Sequence, residues 1–135
     1  RKYLAGCGTQ TAGSASGGRP AASGIATATE EYDGSAWTNG GNLTTARKYL
    51  GGCGLQTAGL AFGGTDPSSP TTATELYNGT AWTNIANMVV QEERFGSCGT
   101  RAAALAFGGN ANNDKSVVTQ ELNQFGPSTE TITTT

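Results

Sequence analysis

Arg47-Lys48-Tyr49-Leu50-Gly51-Gly52-Cys53-Gly54 restates, 46 residues on, Arg1-Lys2-Tyr3-Leu4-Ala5-Gly6-Cys7-Gly8. Thr57-Ala58-Gly59 then answers Thr11-Ala12-Gly13, and Gly63-Gly64 answers Gly17-Gly18. Farther along, the stretch from Ala73 to Asn84 repeats the stretch from Ala28 to Asn39 at an offset of 45, so one residue is lost after the double glycine. A third copy begins near Glu92, with Phe95-Gly96-Ser97-Cys98-Gly99-Thr100 and then Ala103-Ala104-Leu105-Ala106-Phe107-Gly108-Gly109. A period of this length marks a small unit that cannot bury its apolar face alone and stacks on neighbours that share its pattern.

Four short strands fit within one copy. Strand A runs from about Leu50 to Thr57, strand B from Ala58 to Phe62, strand C from Ala73 to Tyr77 and strand D from Thr80 to Asn84. Alternation puts Leu60 and Phe62 on one face of strand B, with Leu105 and Phe107 equivalent. Asp33-Gly34 and Asn78-Gly79 stand between C and D, where such pairs close two-residue type I′ hairpins. The predicted fold class is all-β: three four-stranded antiparallel meanders serving as β-propeller blades at 1–46, 47–91 and 92–135. In that arrangement small residues such as Gly51, Gly52, Cys53 and Gly54 suit crowded inner strands, and Trp37 and Trp82 supply area for sheet-on-sheet packing.

The rest of the composition agrees. Leu, Ile, Val and Phe supply only 19 of 135 residues, whereas Gly and Thr contribute 21 each and Ala 19. Such a chain lacks a conventional oily core, yet its net charge of −2 is too small for disorder driven by charge. The third copy is degraded. Asn123 aligns with Tyr77, no Trp follows, Phe125 is a candidate substitute, and Ser128 to Thr135 is a candidate strand D. Copy one carries Ser14 and Ser16 in place of Leu and Phe, as a polar terminal cap would. Three blades cannot close a ring, so further blades are expected from the same or another chain. Arg1-Lys2-Tyr3-Leu4 carries neither an initiator Met nor a signal-peptide pattern and reads as a cut into a longer chain.

Several function classes fall away. The chain has no histidine, which removes Ser-His-Asp and Cys-His catalysis and every His-ligated metal site. Eight basic against ten acidic residues leave no basic footprint for nucleic acid. The longest apolar run, Ala102 to Phe107, has six residues, far short of a membrane-spanning helix. Cys7, Cys53 and Cys98 repeat one position per copy and read as small buried residues, not as a metal ring or a disulfide framework. Glu30 and Glu31 are strand neighbours on opposite faces and cannot flank one scissile bond. No metal or other cofactor is expected.

The double glycine after strand B, the strand-C Tyr and the strand-D Trp resemble the Kelch repeat, here as Gly17-Gly18, Tyr32, Trp37 and Gly63-Gly64, Tyr77, Trp82. The Gly/Ala/Thr-rich wording is most similar to Kelch-like arrays of phage and environmental microbial surface proteins. The resemblance implies a propeller, usually of about six or seven blades, and a binding role.

In a meander the D–A and B–C connections emerge on one face. The B–C loops, Arg19 to Ile25, Thr65 to Thr71 and Asn110 to Ser116, are the segments that differ most among the copies. Loops on a rigid scaffold commonly carry recognition. The candidate ligand-binding residues are therefore Arg47, Lys48, Tyr49 and Arg94 from the D–A loops, with Arg19, Asp66, Asn112 and Asp114 from the B–C loops. The expected function is a non-enzymatic binding or structural module of a viral fibre, adhesin or extracellular assembly, outside the cell or on a virion surface. Its partner is expected to be a protein or a glycan. The alternatives are a fragment of a glycan-processing propeller enzyme, or an intracellular Kelch adaptor that binds an acidic peptide.

Overall fold

The four apolar-alternating segments of each copy pair with one another in chain order. A computed structural model describes residues 1–111, 114–123 and 126–130. In it β1 (Ala5–Thr9), β2 (Ala12–Ser16), β3 (Thr29–Tyr32) and β4 (Trp37–Asn39) form the first antiparallel sheet. The second contains β5 (Gly51–Leu55), β6 (Ala58–Phe62), β7 (Thr74–Tyr77) and β8 (Trp82–Asn84). In the third, β9 (Gly96–Gly99) and β10 (Ala103–Phe107) are followed by the short ribbon β11 (Asn110–Ala111) and β12 (Asp114–Lys115). The chain then returns through β13 (Thr119–Asn123) and β14 (Gly126–Glu130). No helix occurs among the described residues. The architecture is all-β, three blade-like sheets, and the described residues do not close a ring.

Register superposes the copies and corrects the reading of the third. Cys7, Cys53 and Cys98 face Ser14, Leu60 and Leu105, which in turn face Glu31, Leu76 and Glu121. Counting from these pairs, the position of Tyr77 opposite Gly59 is filled by Leu122 opposite Ala104, one residue before Asn123. Leu122 is buried there, so the third sheet keeps an apolar anchor. Strand D of this sheet begins at Gly126, and Phe125 and 131–135 lie outside the described residues.

The C–D hairpins also differ from the expected two-residue turn. Tyr32 pairs with Trp37 and Tyr77 with Trp82, leaving four residues in each loop. Asp33 Oδ1 accepts from the backbone N–H groups of Ser35 (2.8 Å) and Ala36 (2.9 Å), and Asn78 Oδ1 accepts from Thr80 (2.9 Å) and Ala81 (2.8 Å). A side-chain oxygen thus takes the returning N–H groups while one main-chain bond persists, from Asp33 N–H to the Ala36 carbonyl (3.2 Å) and from Asn78 N–H to the Ala81 carbonyl (3.3 Å). Strand D starts at Trp82, not Thr80.

Packing runs from sheet to sheet. One flank of the second sheet carries Ala61, Tyr77 and Trp82, which cluster with Ala5, Leu43 and Leu50 against the first sheet. Its opposite flank carries Cys53, Leu60 and Phe62, which meet Ala104, Ala106 and Leu122 of the third sheet, with Met88 beside them. Inner strands approach closely: a Cβ on Gly52 would stand 2.9 Å from the Cβ of Ala5. Ser14 and Ser16 are buried towards the second sheet, so they do not form a polar outer cap. The outward flank of the first sheet instead presents Trp37, 55 % exposed where its counterpart Trp82 is 6 % exposed. That tryptophan is not packed as expected, because no sheet among the described residues covers its flank.

The double glycine has a structural cause. Gly63 and Gly64 have φ of 61° and 89°, in the left-handed region that a side chain resists, and the Gly64 N–H donates to the Glu92 carbonyl at 2.8 Å. Gly18 makes the same bond to the Arg47 carbonyl at 2.6 Å. The end of strand B in the first and second sheets is thereby tied to the segment that enters the next sheet.

Candidate functional site: the D–A and B–C loop face

Bridges Lys2–Arg19, Lys48–Thr65 and Glu93–Asn110 join each D–A segment to the start of the following B–C loop, placing both loop sets on one face. At equivalent points of the three D–A segments, Tyr3, Tyr49 and Arg94 have φ of 63°, 58° and 57°. Left-handed backbone in non-glycine residues costs on the order of 1–3 kcal/mol each and persists only where the surroundings enforce it. Main-chain bonds supply part of that enforcement. Tyr49 N–H donates to the Tyr3 carbonyl at 2.9 Å, and Arg94 N–H to the Tyr49 carbonyl at 3.1 Å.

The side chains continue the series. Tyr3 and Tyr49 rings lie 4.3 Å apart between centroids, and the Arg94 guanidinium lies 4.2 Å from the Tyr49 centroid. Lys2 and Lys48 ammonium groups sit 5.2 and 5.3 Å from the rings of Tyr3 and Tyr49. Cations at these distances are attracted by the ring quadrupole. Hydrogen bonding to Arg94, and then its charge, lowers the Tyr49 phenol below the ordinary tyrosine value, and the same contact raises Arg94. The result is a cation-edged aromatic ladder that crosses all three copies.

The predicted site residues divide. Lys48, Tyr49 and Arg94 belong to the ladder. Arg19 is exposed and lines, with Arg1, Lys2 and Pro20, an open hollow of about 380 Å³. Asp66 spends its Oδ1 on the N–H groups of Ser68 (2.7 Å) and Ser69 (2.9 Å), shaping its own loop. Asp114 lies exposed on β12, and Asn112 is outside the described residues. Arg47 does not reach the face at all. Its guanidinium is fully buried, donating to the carbonyls of Gly63 (3.0 Å) and Ala73 (2.6 Å) and to Glu75 Oε1 (2.9 Å). It is a structural clasp, not a ligand contact. Conversely, Lys2 and Tyr3 belong with the ladder although the candidate set omitted them; their equivalence to Lys48 and Tyr49 was the available signal.

Of the three cysteines, expected as small buried residues, only Cys53 is buried. Cys7 is half-buried and Cys98 exposed, because the flank of Cys98 is the outward one of the third sheet. Cys7 donates to the Leu55 carbonyl and Cys53 to the Thr100 carbonyl, at 3.8 and 3.6 Å. Burial, then the neighbouring thiols of Cys7 and Cys98, push Cys53 up to about 12. Glu30 and Glu31 act on separate flanks, Glu30 bound to Arg1 at 2.7 Å and Glu31 accepting from the Tyr77 hydroxyl. No protein-family model and no curated protein matches this chain.

Proposed function

We propose that this chain is a non-enzymatic binding and structural module of Kelch type, serving a viral fibre, adhesin or other extracellular assembly through its D–A and B–C loop face. The observation that carries the reading is the Tyr3–Tyr49–Arg94 ladder, three equivalent residues held in strained backbone with their side chains in register. Strain of this kind clusters at sites of recognition. Lys2, Lys48, Arg19 and Arg94 give the face a cationic edge, which suits a partner protein or glycan bearing carboxylates. The test is binding of an oligoglutamate peptide and of an oligogalacturonate to the intact chain, at low and at high salt. Binding that weakens at least tenfold in Tyr49→Ala and in Arg94→Ala supports the proposal. Equal binding by both variants, or none by the parent chain, overturns it.

A further inference from the structure

The two outward flanks of the molecule are the counterparts of flanks that pack at its two internal junctions, the aromatic one on the first sheet and the Leu/Phe one on the third. On its outward flank the first sheet has Gly13, Ala15, Tyr32 and Trp37, the same residues in the same register as Gly59, Ala61, Tyr77 and Trp82, the flank of the second sheet that packs on the first. Even the ring geometry repeats, with centroids 5.2 Å apart for Tyr32–Trp37 and 4.8 Å for Tyr77–Trp82. The outward flank of the third sheet has Cys98, Leu105 and Phe107, matching Cys53, Leu60 and Phe62, the other flank of the second sheet. Leu105 and Phe107 are 37 % and 44 % exposed where Leu60 and Phe62 are 2 % and 0 %.

Polar partners match as well. Where the second sheet meets the first, the Trp82 indole N–H donates to Thr29 Oγ1 at 2.9 Å and the Tyr77 hydroxyl donates to Glu31. Register places Thr119 and Glu121 of the third sheet at the positions of Thr29 and Glu31. A hollow of about 390 Å³ opens beside Leu105 and Glu121, bordered by Cys98 and Leu122. It offers an aromatic side chain room that Ser14 and Ser16 provide at the internal junction.

We infer that two copies of this chain associate head to tail, Tyr32 and Trp37 of each seating on Leu105, Phe107 and Glu121 of the other. Contact at both ends gives one closed ring of six sheets, within the range that propellers occupy. The occupant is a second copy because its outward flank repeats, residue for residue, the flank that packs on the first sheet. Thr119 and Glu121 repeat the polar partners met there, with Leu105 and Phe107 standing in place of Ser14 and Ser16.

Light scattering and sedimentation across a concentration series test this on the intact chain. The expected particle has twice the 13.6 kDa of one chain. Trp37→Glu and Phe107→Lys each weaken association at least about thirtyfold, as loss of an interface anchor does. Mixing the two variants restores a two-chain particle, since one junction is intact and the other pairs opposite charges. Cys98 alkylation, slow in the concentrated parent chain and fast on dilution, reads the same contact without any substitution. A single-chain mass at every concentration, open-ended oligomers, or dimers that survive either substitution overturn the inference.

Discussion

Glu75 Oε1 lies 2.9 Å from a guanidinium nitrogen of Arg47, and neither side chain has any contact with solvent. The third sheet holds a different pair at the equivalent place: Gln120 Nε2 donates to Glu92 Oε2 at 3.0 Å. In both sheets the strand-C side chain also caps the incoming segment, Glu75 accepting from Thr44 N–H at 2.8 Å and Gln120 from Val89 N–H at 3.0 Å. The site therefore demands one donor facing one acceptor, and which of the two positions donates is exchanged between the sheets.

Arg47→Met is expected to destabilise the fold by about 3–5 kcal/mol, because it strands the Glu75 carboxylate in a dry site. Arg1→Met removes a contact to Glu30, which is 45 % exposed at its side chain, and should cost less than about 1 kcal/mol. Urea unfolding of both variants gives the comparison.

Trp82→Ala should cost about 3–5 kcal/mol through lost burial and an orphaned Thr29 hydroxyl. Trp37→Ala, measured in solutions dilute enough to hold single chains, should cost under about 1 kcal/mol. Thermal melts followed by circular dichroism distinguish the two.

Among the tyrosines, Tyr49 is expected to ionise at lower pH than Tyr77. Arg94 favours the Tyr49 phenolate, whereas burial and the Glu31 carboxylate oppose ionisation of Tyr77. A spectrophotometric titration should show the early component move to higher pH in Arg94→Ala, and an unmoved component would contradict the ladder contact.

Cys53 couples stability to alkaline pH. Its folded-state value of about 12 lies above the ordinary value of 9.0, so the thiol form is favoured by folding. That contribution is complete below pH 9 and is lost as pH rises towards 12. Cys53→Ala should flatten the decline in unfolding free energy across this window, measured by denaturant titration at successive pH values.

Much of the fold was readable in the chain because two periods are superimposed there: alternation within strands and the 45- to 46-residue spacing of Tyr, Trp and double glycine. The burial of Arg47 was not readable. Its position matches that of Arg1, and its partner Glu75 is 28 residues away, beyond any local pattern. The ladder was half visible. Sequence put Tyr49 and Arg94 in equivalent loops, but their left-handed backbone and ring contacts depend on how neighbouring sheets are spaced. The C–D turns went astray for a chemical reason: Asp33 and Asn78 use their side-chain oxygens on the backbone, which a two-residue turn motif does not reveal.

The bonds from Gly18 to the Arg47 carbonyl and from Gly64 to the Glu92 carbonyl involve only main-chain atoms. A freshly duplicated copy of the unit consequently arrives with its attachment to the next one already built in, whatever its flanks carry. Mutational drift can then exchange Leu60 for the small Ser14 of a sister unit, or Arg47 for the acid Glu92, without undoing the join. Lengthening such an array by gene duplication asks for little beyond two adjacent glycines in each new segment.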